Sequence, residues 1–146
     1  MTTTPPSVDA ATSAAAPSSD PSTAAADLAA AAASELARIT GVHAHDVAVV
    51  LGSGWVPAAD AIGEASHELA VTDLPGFAPP SVAGHAGRVR SIAVGHRRVL
   101  VFLGRTHLYE GHGVSAVVHG VRTAIAAGCR VVVLTNGCGG IRTDFA

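Results

Sequence analysis

Three short apolar runs, at residues 46–51, 97–103 and 130–135, each end where a glycine opens a polar turn, and this repeated junction limits the fold more than any other feature. The runs are dominated by valine and leucine; the first two read as buried strands and the third as a β-branched apolar strand. A lone glycine turn after a strand is usually only a turn. Three of them converge only if the strands are neighbours, and the apolar helix-period segment between the last two runs supports that arrangement. Residues 88–94 and 97–103, separated by Gly95-His96, carry a two-residue hairpin signal, so the sheet is expected to be mixed. The fold class predicted is α/β. Such sheets bind ligands beyond the carboxyl ends of their strands.

The loops at those three ends carry the chemistry. After the second run, Gly104-Arg105-Thr106-His107-Leu108-Tyr109-Glu110-Gly111 packs a cation, an imidazole, a phenol and a carboxylate into six positions. Arg105 offers a planar fork of donors for phosphate or carboxylate oxygens, and His107 points the same way if the chain stays extended. Tyr109 continues that parity with a flat face and a hydroxyl suited to a sugar. Glu110 can hold His107 in one tautomer or keep it protonated. Taken alone, the segment also fits a polar turn with a surface Arg–Glu pair. After the first run, Gly52-Ser53-Gly54 frees the backbone to approach an anion, and Ser53 adds a hydroxyl donor. This is not a dinucleotide fingerprint, because Trp55, Val56 and Pro57 stand where the third glycine should fall. A triphosphate loop is excluded too: no Gly-Lys-Ser/Thr occurs, and the chain has no lysine. The third loop is Asn136-Gly137-Cys138-Gly139-Gly140.

Four elements in order, Leu51-Gly52-Ser53-Gly54, Gly84-His85-Ala86-Gly87, residues 104–111 and Leu134-Thr135-Asn136-Gly137-Cys138-Gly139-Gly140, resemble the trimeric purine nucleoside phosphorylases from about Val47 onward. The resemblance implies a phosphorylase-like mixed sheet and the phosphorolysis of purine ribo- or deoxyribonucleosides to free base and pentose 1-phosphate. It implies that Ser53, Arg105, His107 and the backbone amide of Gly137 hold inorganic phosphate, a co-substrate, with no cofactor and no metal. His85 is expected near the same anion, Tyr109 near the ribose, and Glu110 in support of His107; His107, Glu110 and His85 are the expected catalytic group. Gly137 stands where the family often carries alanine, a change of small consequence if only the amide serves. The partners implied are a purine nucleoside, phosphate and two further copies in a homotrimer.

The family pattern continues past residue 146 with a carboxylate and an amide that read the purine, another phosphate-binding serine and more strands. The resemblance therefore implies an amino-terminal portion, incomplete at its C-terminal end and inactive alone. The alternative is a non-catalytic phosphate-binding fragment without the base site. A further alternative is a non-binding remnant with an exposed sheet edge.

Composition enters chiefly to exclude. Net charge is −2 and aromatic residues are only 3% of the chain, so neither nucleic-acid steering nor attraction to anionic membranes is expected, and no transmembrane span is read. A cytoplasmic location is expected. Cys129 and Cys138 lack paired-ligand spacing and read as thiols, and the eight histidines read as scattered loop residues rather than a metal centre. Residues 1–22, dominated by Thr, Ser, Pro and Ala, read as a disordered tail, and 23–146 as part of one domain. A helix is expected from Ser22 or Thr23, with Asp27 near its positive end and a stop at Gly41. Residues 58–62 read as a short helix and 67–71 as a strand. Residues 72–87 read as a long loop bearing His85. Val114, Val117, Val118, Val121 and Ile125 mark one face of a helix expected to end at Gly128.

Overall fold

The computed structural model describes residues 20–79, 87–137, 139–142 and 144. Helix α1 spans Pro21–Thr40 and is set by its ends: the Asp20 carboxylate accepts the Ser22 N–H at 3.0 Å, Pro21 starts the first turn, and Gly41 closes the helix in the left-handed region. Asp20 therefore supplies the cap, and the helix begins a residue or two before the expected start at Ser22 or Thr23. Residues 21 and 22, expected in the tail, are helical.

Five strands follow, β1 (Val47–Val50), β2 (Ala65–Ala70), β3 (Arg88–Val94), β4 (Arg97–Leu103) and β5 (Val131–Leu134), with short α2 (Ala58–Ile62) and longer α3 (Gly113–Ala126) between them. The sheet order is β2-β3-β4-β1-β5. β4, β1 and β5 run parallel, while β2, β3 and β4 are antiparallel, β3 and β4 being the expected hairpin. Val47 lies opposite both Val99 and Val131, and Val50 opposite both Phe102 and Leu134. This register brings the three glycine loops to one edge of the sheet.

Alternation of side chains along the strands divides the core between two faces. Ala48, Val50, Val89, Leu100 and Phe102 pack beneath α1 and α3 with Ala32, Ala33, Leu36, Ala124 and Cys129. On the other face Leu51, Ile92, Val99, Val101 and Leu103 enclose Ala59 of α2. The alanines of α1 have a packing reason, since small side chains let α1 approach its neighbours closely.

The apolar face read for α3 is not its most buried one: His119, Thr123 and Ala124 are buried, Val117, Val118 and Val121 half-buried, and Val114 and Ile125 exposed. His119 Nε2 lies 2.9 Å from the Pro75 carbonyl and its ring meets Phe77 edge-on, so a polar bond and a ring contact select this face instead of the valine stripe. Strand β5 leaves Val131, Val133 and Leu134 at 52%, 44% and 63% exposure. It is the sheet's edge, paired only with β1 among the described strands.

Candidate functional site

The first group of site residues forms around Gly52. Leu51 N–H donates to the Phe102 carbonyl and Trp55 N–H to the Gly52 carbonyl, so the chain leaves β1 in a tight turn with Gly54 in the left-handed region. Gly52 is there for space: a Cβ on it would stand 2.6 Å from the Thr135 carbonyl oxygen, 2.8 Å from Arg105 Nη1 and 2.9 Å from the Asn136 Cα. Loops from β1, β4 and β5 thus meet at one residue. Gly137 belongs to the same group, because a Cβ built on it would lie 3.5 Å from the Ser53 carbonyl oxygen. Arg105 Nη1 donates to the Thr135 carbonyl at 3.5 Å, and its side chain is exposed. The structure therefore brings Ser53, Arg105 and Gly137 together at the carboxyl edge of the parallel strands. A guanidinium, a hydroxyl and glycine backbone there are donors of the kind an oxyanion accepts.

A second group lies two residues along the β4 loop. His107 precedes a 3-10 turn at Leu108–Glu110, closed by Gly111 in the left-handed region. Glu110 Oε1 accepts the His107 N–H at 2.7 Å and sits 2.9 Å from His107 Nδ1. An ionised carboxylate only accepts, so Nδ1 carries the proton in this pair, and the tautomer follows from the chemistry of the partner. The Glu110 side chain is 5% exposed and that of His107 17%. Tyr109 stacks on His107 with ring centroids 4.9 Å apart and the planes 16° from parallel, leaving the phenol largely in solvent. His85 lies outside the described residues.

Beside these groups a cavity of about 290 Å³ opens between α3 and the sheet, lined by Phe77, Phe102, Val117 and Val121, with Arg105 and Glu110 among its polar groups. Val117, Val118 and Val121, on the apolar face read for α3, line this space. Sequence reasoning gave Thr135 no role of its own: it stood only as the end of a strand and as a member of the Leu134–Gly140 element. Its signal was a hydroxyl at the last strand residue before the third glycine loop.

No protein-family model matches the chain. Purine nucleoside phosphorylase of Mycobacterium tuberculosis is 54% identical over 113 residues, and that of Cellulomonas 52% identical over 118. Each alignment covers 77% of this chain and 42% of the relative. Over the matched stretch this chain is similar to purine nucleoside phosphorylases. The chain spans about two fifths of the length of these curated relatives. Among solved structures, isoform 2 of purine nucleoside phosphorylase from Schistosoma mansoni, in complex with cytosine and ribose-1-phosphate, superposes with a TM-score of 0.70 and 31% identity. It covers 80% of this chain and 40% of that one, so the phosphorylase fold accounts for the mixed sheet and its flanking helices.

Proposed function

We propose that this chain supplies the phosphate-holding half of a purine nucleoside phosphorylase reaction, the phosphate-dependent cleavage of purine ribo- or deoxyribonucleosides to free base and pentose 1-phosphate. The observation that carries the reading is the convergence of Ser53, Arg105 and Gly137 around Gly52, on three adjacent parallel strand ends. Ser53, Arg105, His107 and the Gly137 amide are assigned to phosphate. Tyr109 is assigned to the ribose, Glu110 to holding His107, and His85 to the neighbourhood of the anion. The Schistosoma protein bound to ribose-1-phosphate supports the class of product. The motif resemblance to the trimeric class supports a homotrimer, and the cytoplasm as its location. No described helix is long and apolar enough to cross a membrane.

The chemistry asks little of the protein beyond position and charge. A phosphate oxygen forms the new bond to the anomeric carbon as the bond from that carbon to the purine nitrogen breaks. The electron pair leaves with the base, which takes up a proton. Positive charge grows on the sugar meanwhile, so a dianion fixed beneath it is attracted more strongly in the transition state than in the ground state. Fixing that anion also removes its freedom before the reaction begins. Arg105, the Ser53 hydroxyl and backbone amides hold it through directed donors.

The test is hypoxanthine release from inosine by the purified protein, free of host phosphorylase, with and without phosphate, alongside a calorimetric phosphate titration. Phosphate-dependent release supports the catalytic reading. Saturable phosphate binding without release leaves a phosphate-binding module, and absence of both overturns the assignment.

A further inference from the structure

Thr135 joins the three loops of the site, although the phosphate assignment gives it no part. Its hydroxyl accepts the Gly52 N–H at 2.9 Å and donates to the Val50 carbonyl at 3.1 Å; its own N–H reaches the same carbonyl at 3.0 Å. Its carbonyl accepts Arg105 Nη1 at 3.5 Å. One residue at the end of β5 therefore bonds both the loop that follows β1 and the loop that follows β4. The ladder between β1 and β5 is already complete from Val47 opposite Val131 to Val50 opposite Leu134, so the hydroxyl is not what aligns the strands. What it adds lies past the ladder, at Gly52, where there is no room for a Cβ.

We propose that Thr135 is a positioning residue for the anion site: its hydroxyl fixes the Gly52-Ser53-Gly54 turn against Arg105, so that hydroxyl, amide and guanidinium donors converge on one phosphate. The inference rests on the phosphate reading given above. Valine matches threonine in shape but offers Gly52 no acceptor and Val50 no donor, leaving a buried N–H unsatisfied at the base of the turn. The turn then has a reason to shift, and Ser53 shifts with it.

Phosphate is titrated calorimetrically into the wild type, Thr135→Val and Thr135→Ser, with thermal midpoints and hydrogen exchange of the Gly52 amide measured on each. Thr135→Val is expected to weaken phosphate binding about tenfold and, because the Gly52 N–H loses its acceptor, to lower the thermal midpoint by roughly a few degrees while the protein stays folded. Thr135→Ser is expected to bind within about threefold of wild type, and Gly52 to exchange faster only in the valine variant. Wild-type affinity in a folded Thr135→Val overturns the proposal, as does an equal loss in Thr135→Ser, since the hydroxyl is then not responsible. If the valine variant does not fold, Thr135→Ala takes its place with the same two readings. A wild type that binds no phosphate overturns the phosphate reading itself and this role with it.

Discussion

At the scale of single residues, two glycines of the site make opposite demands. Gly52 sits where a methyl group would meet backbone oxygen, a backbone carbon and a guanidinium nitrogen at 2.6–2.9 Å, and two of those three atoms cannot move without moving β5. Gly52→Ala is expected to cost at least about 2 kcal/mol in stability or to displace the loop, and with either to abolish phosphate binding. At Gly137 the same methyl would make an ordinary contact at 3.5 Å, and the backbone is not in the left-handed region. Gly137→Ala should bind phosphate within about twofold of wild type, an effect under the ~1.4 kcal/mol that marks a tenfold change. A matched pair of calorimetric titrations checks both, and equal losses would show that amide access at residue 137 is not what that position contributes. Arg105→Lys is the third test at this scale. A point ammonium cannot reproduce two directed donors, so affinity for phosphate should fall well over tenfold, and near-normal binding would remove Arg105 from the ligand set.

Elements show how far a sequence pattern reaches. The hairpin at Gly95, the three parallel strands and their neighbour relation were legible, because valine runs bounded by glycine turns have few other ways to pack. Strand ends were legible to within a residue or two. The helix faces were not. In α3 the valines suggest one stripe, yet the bond from His119 to Pro75 and the close fit of Thr123 and Ala124 choose another, a decision made by tertiary partners that periodicity does not see. Within the site, the pairing of His107 with Glu110 was legible because both lie in one loop. Thr135 escaped because its role is to join loops that are 83 residues apart in sequence for one partner and 30 for the other. The start of α1 gives a prediction at this scale. Asp20 supplies the cap through Ser22 N–H, so Asp20→Ala should lower stability by about 1 kcal/mol, whereas Asp27→Ala should leave it nearly unchanged. Urea midpoints distinguish the two, and a larger effect at Asp27 would misplace the cap.

For the molecule as a whole, the end of the sheet opposite the site governs the response to acid. Asp46 binds β1 to its neighbours there: its carboxylate accepts the Arg97 guanidinium and the Arg98 N–H, and its carbonyl accepts the Arg130 N–H. Those bonds hold the Asp46 carboxyl below its usual range, the Arg98 amide first among them. Beside it His45 is buried, with Nε2 2.9 Å from Ser91 Oγ and Nδ1 without a partner among the described residues. Burial chiefly, and then the Arg98 charge, lower the His45 pKa, while Asp46 opposes them. The sign of the effect on stability follows from which state takes up a proton first. In the unfolded chain His45 titrates near 6.5, whereas the folded chain holds it neutral to lower pH, so the unfolded state binds the extra proton as pH falls below about 6.5. Stability from this group is complete above that value and declines toward the folded pKa, at no more than about 1.4 kcal/mol per pH unit. The lowered carboxylates Asp46 and Glu68 act in a separate window, since their contribution is lost only as pH falls below about 4.5. Urea midpoints at pH 7.5, 6.5 and 5.5 for the wild type and His45→Gln isolate the histidine, because glutamine keeps a donor for Ser91 and cannot charge. The wild type should lose more stability than the variant between pH 6.5 and 5.5. Identical slopes would mean that His45 is protonated in the folded protein as readily as in the unfolded chain, and that its buried ring has an acceptor for the second N–H.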